Sequence, residues 1–285
     1  VEADFDFFGG ILMALTLAGF LLAVSLGGQW GWNDVKTLAN IGVALVFCPL
    51  FILWESRVAS PVVDLSLFKV RVFRMGLSAA VCLFVSHFIS FFLMPFYLTK
   101  VLGRPVDRVG LLLMVAPLTS MVVSPISGWV SDKIGARFLT TAGMMVTSAG
   151  LIIASGFTEF TTDSKVALCL MIMGMGAALF QPANTSSIMR AIPSPRLGVA
   201  SGLVAAARNL GMVTGVSLAG ALFSLGFSPM GTTGNLTDYQ PELLPAFLAG
   251  WKIAFCSGAI IAIMGAVLTF LREKIGSESH QALLL

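Results

Sequence analysis

Charge is the scarcest property of this chain. Of its 285 residues, 17 are Lys or Arg and 14 are Asp or Glu, so only 11% are charged, against roughly 25% in a soluble domain. Hydrophobic residues make up 57% and mean hydropathy is +0.93, which excludes a single water-soluble core. The formal net charge of +3 is too slight for nucleic-acid binding, and no nucleic-acid partner is expected. Cysteine is scarce as well. Cys48, Cys82, Cys169 and Cys256 stand far apart, with no C-x-x-C and no Cys/His cluster, so neither a metal site nor a structural disulfide is expected. They read as small packing residues. No acid, base and metal-ligand cluster lies within the apolar runs, which argues against a membrane enzyme; no catalytic residue and no cofactor is expected.

What is abundant is long apolar sequence. Eight runs can be marked, at 7–26, 35–54, 75–98, 109–130, 138–157, 166–189, 197–227 and 249–271. Each reaches the roughly 20 residues that a helix needs to cross a bilayer. A β-barrel would show short alternating strands; these runs are continuously apolar, so the expected fold is an all-α membrane protein with eight transmembrane helices in a lipid bilayer. None of the 14 acidic residues falls well inside a run.

An even number of spans puts both termini on one side, and basic residues choose which. With the termini cytoplasmic, ten of the 17 Lys and Arg fall on the inner side, six on the outer, and Arg208 lies within a run. The excess has the sign of the positive-inside rule. Trp30, Trp32, Trp54, Trp129 and Trp251 all fall at run ends, where an aromatic belt belongs. A multi-pass protein of the cell membrane is the expectation.

Between the fourth and fifth runs lies Gly128-Trp129-Val130-Ser131-Asp132-Lys133-Ile134-Gly135-Ala136-Arg137. Gly128 can let two helix ends approach, and Asp132 can cap the positive N-terminus of the next helix. Gly135 permits a left-handed turn, and Arg137 can anchor at the phosphate level. The pattern Gly-x-x-x-Asp-x-x-Gly-x-Arg resembles the cytoplasmic-loop motif of the major facilitator superfamily. Ala136 stands where that family carries a second basic residue.

Further phrases are similar to the 14-helix drug:proton antiporters of that superfamily. They include Phe5-Asp6-Phe7-x-Gly9 before the first run, Gly31-Trp32, Glu55-x-Arg57 with Pro61, Met94-Pro95-Phe96-Tyr97-Leu98, Gln181-Pro182-Ala183-Asn184 and Arg208-Asn209-Leu210-Gly211. The resemblance covers essentially the whole chain. It implies that 1–74 holds two extra transmembrane helices and a cytoplasmic linker, that 75–272 is the C-terminal six-helix bundle, and that 273–285 is a cytoplasmic tail. The opening residues read as the middle of a longer polypeptide, a fragment whose N-terminal six-helix bundle is the missing partner. The implied activity is multidrug efflux: export of hydrophobic or amphipathic small molecules by proton antiport with alternating access, and hence drug resistance. A non-transporting half or subunit that needs a partner bundle is the alternative. By the same resemblance, the coupling carboxylates would lie in the other bundle; none lies well inside a span here.

Candidate cavity residues are the polar and aromatic side chains within the runs. Arg208 sits about 15 Å into the seventh run at 1.5 Å per residue. A guanidinium there needs a wet cavity or acceptors, and Gln181, Asn184 and Asn209 could supply carbonyl oxygens. A cavity role and a structural tie both fit. His87, beside Ser86 and Ser90, reads either as a proton relay or as a hydrogen-bonded packing residue. Phe91 and its aromatic neighbours could line a greasy cavity. Gly198, Gly202 and Ala206, then Gly211, Gly215 and Ala219, form small-residue rows for close helix packing, as do Gly258 and Gly265. Asn235-Leu236-Thr237 is a formal glycosylation sequon of little weight.

Overall fold

The computed structural model describes residues 6–31, 33–58, 63–227 and 241–272, and among these it contains helices and no strand. Trp32, Pro61, the Asn235 sequon and the tail at 273–285 lie outside the described residues. Eight helical segments are long and apolar enough to cross a membrane, matching the eight runs read from the sequence.

Helices α1 (Phe7–Trp30) and α2 (Val35–Glu55) form a hairpin. Asp6 begins α1 by accepting from the Gly9 amide at 2.8 Å, and Asp34 begins α2 by accepting from the Lys36 amide at 2.8 Å. A linker follows, in which the Glu55 carboxylate accepts from the Val63 amide at 3.1 Å. Helix α3 (Arg71–Phe96) then continues through a π-helical turn at Tyr97–Val101.

The next span is interrupted. Helix α4 (Val106–Leu113) and α5 (Val115–Ile134) meet at Met114, three residues before Pro117. A proline ring clashes with the carbonyl four residues back and removes that hydrogen bond, here at Leu113, where α4 stops. Helices α6 (Ala136–Ser155), α7 (Asp163–Arg190), α8 (Leu197–Phe227) and α9 (Leu244–Phe270) complete the set. Several begin three to five residues before the corresponding apolar run, because polar starts such as Arg71 and Asp163 are helical yet carry no hydropathy signal.

Helix α6 packs between α7 and α9, α3 packs between α8 and α9, and α5 lies on α7. The order α5–α7–α6–α9–α3–α8 thus makes an open ring, with α7 and α8 touching only sparsely and α1 resting on α8. Glycines set the close approaches. A Cβ on Gly215 would meet the Val85 carbonyl at 2.7 Å, and one on Gly143 would meet the Gly176 carbonyl at 2.7 Å. By contrast, a Cβ on Gly198 or Gly202 would meet nothing within 4 Å, so that expected row faces open space and forms no seam. Trp251 also departs from expectation. It is fully buried rather than set in a belt, donating from Nε1 to the Ala154 carbonyl at 2.7 Å and stacking on Phe255 at 4.0 Å. Trp129, by contrast, is 61% exposed.

Candidate functional site: a two-lobed cavity between α3, α5, α7 and α8

On α3, Ala80, Phe84, His87, Phe91 and Met94 recur at spacings of three and four and share one face. On α7, Leu170, Met173, Ala177, Gln181 and Asn184 do the same. These faces border two cavities. One, of about 240 Å³, lies toward α8 and is lined by Phe84, Gln181, Asn184, Thr185 and Arg208 among others. The second, of about 350 Å³, lies toward α5 and is lined by His87, Phe88, Phe91, Met94, Met173 and Gln181 among others. Gln181 belongs to both walls, so the two cavities adjoin at its side chain as two lobes.

The sequence candidates separate here. Arg208 is exposed and faces the first lobe, and no hydrogen bond or ion pair to it occurs among the described residues. Asn184 is in the wall, but its polar atoms are committed elsewhere. Its Nδ2 donates to the Gly76 carbonyl at 3.0 Å, and its Oδ1 accepts from Arg272 Nη1 at 2.8 Å. The expected tie from Arg208 to Asn184 is not formed; Arg272 binds that oxygen instead. Asn209 is exposed and borders neither lobe. Phe91 is 62% exposed and faces the second lobe, with its ring 5.3 Å from that of Phe88.

His87 lines the second lobe, and its Nδ1 is buried without a hydrogen-bond partner among the described residues. The neighbouring hydroxyls are spent: Ser86 donates to the Cys82 and Gly258 carbonyls, and Ser90 approaches the Met173 sulfur at 3.6 Å. A hydrogen-bonded packing role is not formed at Nδ1.

At the end of the bundle that carries the glycine-aspartate motif, the structure revises the roles of Gly128 and Asp132. Helices α5 and α6 are joined by Gly135 alone, at φ +91°, a region that favours glycine. Asp132 does not cap α6, whose N-terminus has no side-chain cap. It lies inside the last turn of α5 and pairs instead with Arg190 at the end of α7. No atom lies within 4 Å of a Cβ on Gly128, so no helix approach depends on it. Arg137 rests over the Phe270 ring at 4.6 Å and Lys133 over Trp129 at 3.6 Å.

Two polar clusters were not singled out from the sequence. Arg272 is 1% exposed and also donates to the Ser187 hydroxyl. Burial pushes its guanidinium down to about 10, so it remains a cation at neutral pH. In the sequence it is merely the first basic residue after the last run. At the opposite end of the bundle, Arg104 and Arg108 both clamp Asp163, at 2.8 and 2.9 Å. Asp163 could have been noticed as an acid opening a helix.

The sequence profile described as Major Facilitator Superfamily matches residues 4–216 and 76–282. The chain belongs to the major facilitator superfamily. It is thus a multi-pass, all-α membrane protein of a transporter superfamily and not an enzyme. Among curated proteins, it is 30% identical over 220 residues to the multidrug resistance protein Stp of Mycobacterium tuberculosis, covering 77% of this chain and 41% of that protein. It is 30% identical over 230 residues to the tetracenomycin C resistance and export protein of Streptomyces glaucescens, covering 78% and 41%. An uncharacterized transporter of Escherichia coli, YebQ, is 29% identical over 245 residues, covering 86% and 52%. The chain therefore spans about half or less of the length of these relatives.

Proposed function

We propose that this chain forms part of a secondary active transporter that exports hydrophobic or amphipathic small molecules by proton antiport. The observation that carries the reading is the two-lobed cavity, lined by aromatic and methionine side chains, with Arg208 at its wall and unpaired among the described residues. Relatives named for multidrug resistance and for resistance and export support it. In this reading α1 and α2 are the two extra helices of a 14-helix antiporter, and α3 to α9, with α4 and α5 together as one span, form its C-terminal six-helix bundle. Residues 273–285 are a cytoplasmic tail, and the open side of the ring faces a second six-helix bundle. Alternating access then comes from rocking two bundles about a cavity near the midplane. No carboxylate lines either lobe, so the proton site is assigned to the partner bundle. Both termini face the cytoplasm of the cell membrane, as the basic-residue excess indicates.

Orientation and transport are tested together. A cysteine placed at Ser194 should resist an impermeant maleimide in intact cells and react in everted vesicles. Everted vesicles holding this chain with its partner bundle should accumulate amphipathic dyes under an imposed pH gradient, and this chain alone should not. Labelling from outside overturns the orientation. Gradient-driven accumulation by this chain alone overturns the assignment of the proton site, and no accumulation in either case favours a non-transporting half.

A further inference from the structure

We infer that the joined lobes form a binding site for an amphipathic anion, with a ring-containing apolar body in the His87–Phe91 lobe and a carboxylate or sulfonate on Arg208. This rests on the cavity being the transport site, and it names the chemical class of the substrate. Charge decides the class. Arg208 is the one permanently charged side chain in either lining, and no Asp or Glu lines either lobe. It lies eleven residues into α8, roughly 16 Å from the helix start at 1.5 Å per residue, deep within the span. A cation held there without a partner is costly. Asn184 is engaged with Gly76 and Arg272, and no hydrogen bond from Arg208 to Gln181 or Thr185 occurs among the described residues. Arg208 is exposed to the cavity, so its charge is available to an arriving anion, which the planar guanidinium can grip with two parallel hydrogen bonds.

The second lobe fits the rest of such a molecule. Phe88 and Phe91 present adjacent rings, and Met94 and Met173 add sulfur atoms that pack well on aromatic edges. Volumes of about 350 and 240 Å³, joined at Gln181, suit a drug-sized ligand. A cationic substrate would meet Arg208 with no carboxylate in the walls to offset the repulsion.

The test uses three probes built on one body: 4-(1-naphthyl)butyrate, its amide, and naphthylpropyl-trimethylammonium. Saturable binding to the purified chain in zwitterionic nanodiscs is read by naphthyl fluorescence anisotropy, with empty discs subtracted. The parent should bind the carboxylate about tenfold or more tighter than the amide, as expected for a hydrogen-bonded charge, with the ammonium weakest. Arg208→Gln should erase the carboxylate preference and leave the amide unchanged, and Arg208→Lys should keep part of it. Phe91→Ala should weaken the carboxylate and amide equally. Saturable binding with the ammonium or the amide as tight as the carboxylate overturns the anion class and leaves the cavity standing. Equal loss of all three probes in both Arg208→Gln and Arg208→Lys also overturns it, because Arg208 would then serve the fold. No saturable binding of any probe overturns the cavity reading itself.

Discussion

The side-chain oxygen of Asn184 accepts a hydrogen bond from the guanidinium of Arg272 at 2.8 Å, joining two residues 88 positions apart. Asn184 also reaches the Gly76 carbonyl, Arg272 also reaches Ser187, and Arg71 donates to the Leu271 carbonyl at 3.0 Å. One buried asparagine therefore ties α3, α7 and the end of α9 together.

That tie predicts a specific order of instability. Asn184→Leu leaves the Arg272 cation and the Gly76 carbonyl short of partners inside the bundle, and should cost about 3 kcal/mol or more. Ser187→Ala removes one of the bonds to Arg272 and should cost roughly half as much or less. Thermal unfolding of the purified variants checks this; a stable Asn184→Leu protein would show that Arg272 finds water instead.

Glycines on one helix should behave oppositely. Gly215→Ala drives a Cβ toward the Val85 carbonyl and Phe88, and should destabilise by about 1–3 kcal/mol through overpacking. Gly202→Ala meets nothing within 4 Å, and should stabilise α8 by about 0.5–1 kcal/mol. The two variants measured side by side in one detergent make the comparison internal.

Around the α5–α6 joint, the glycine should matter more to stability than the acid. Asp132 and Arg190 side chains are each 60% exposed, and such pairs contribute about 1 kcal/mol or less. Gly135 is held at φ +91°, where a side chain costs on the order of 1–2 kcal/mol. Gly135→Ala should therefore lower the melting temperature further than Asp132→Asn. The reverse order would restore Asp132 as the principal stabiliser of the joint.

The linker carries an acid-sensitive contact. Burial raises the Asp64 carboxyl, but hydrogen bonds from the Ser66 hydroxyl and amide and the charge of Arg196 outweigh it, so the group sits below its ordinary 3.8. A depressed carboxylate adds stability above the unfolded value and loses it as pH falls through the folded value. Protection of the linker against proteolysis should hold at neutral pH and fade below about pH 4. Asp64→Asn should remove that pH dependence.

The spans were legible because hydropathy over 20 residues is a strong signal that needs no knowledge of faces. The motif's Gly135 was legible too, since few other residues accept its backbone. The partners were not. Helix α7 distributes its apolar residues around the whole helix and carries Gln181, Asn184, Thr185, Ser186 and Ser187 close together, so periodicity alone does not tell which neighbour Asn184 meets. Arg208 and Arg272 looked like an intramembrane charge and a boundary charge, whereas Arg272 is the buried one. Trp251 occupies a run end, where belt tryptophans also lie, and only the aromatic cluster around it reveals the difference.

The open ring has one consequence for mechanics. Separating the α4–α5 span from α7 would break the bonds from the Ser120 and Ser127 hydroxyls to the Gly174 and Leu179 carbonyls, and at the far end the double clamp of Arg104 and Arg108 on Asp163. Between α7 and α8, no side-chain hydrogen bond crosses among the described residues. Widening the bundle along that seam breaks no such bond, so side-chain hydrogen bonds do not resist a separation of α7 from α8 there.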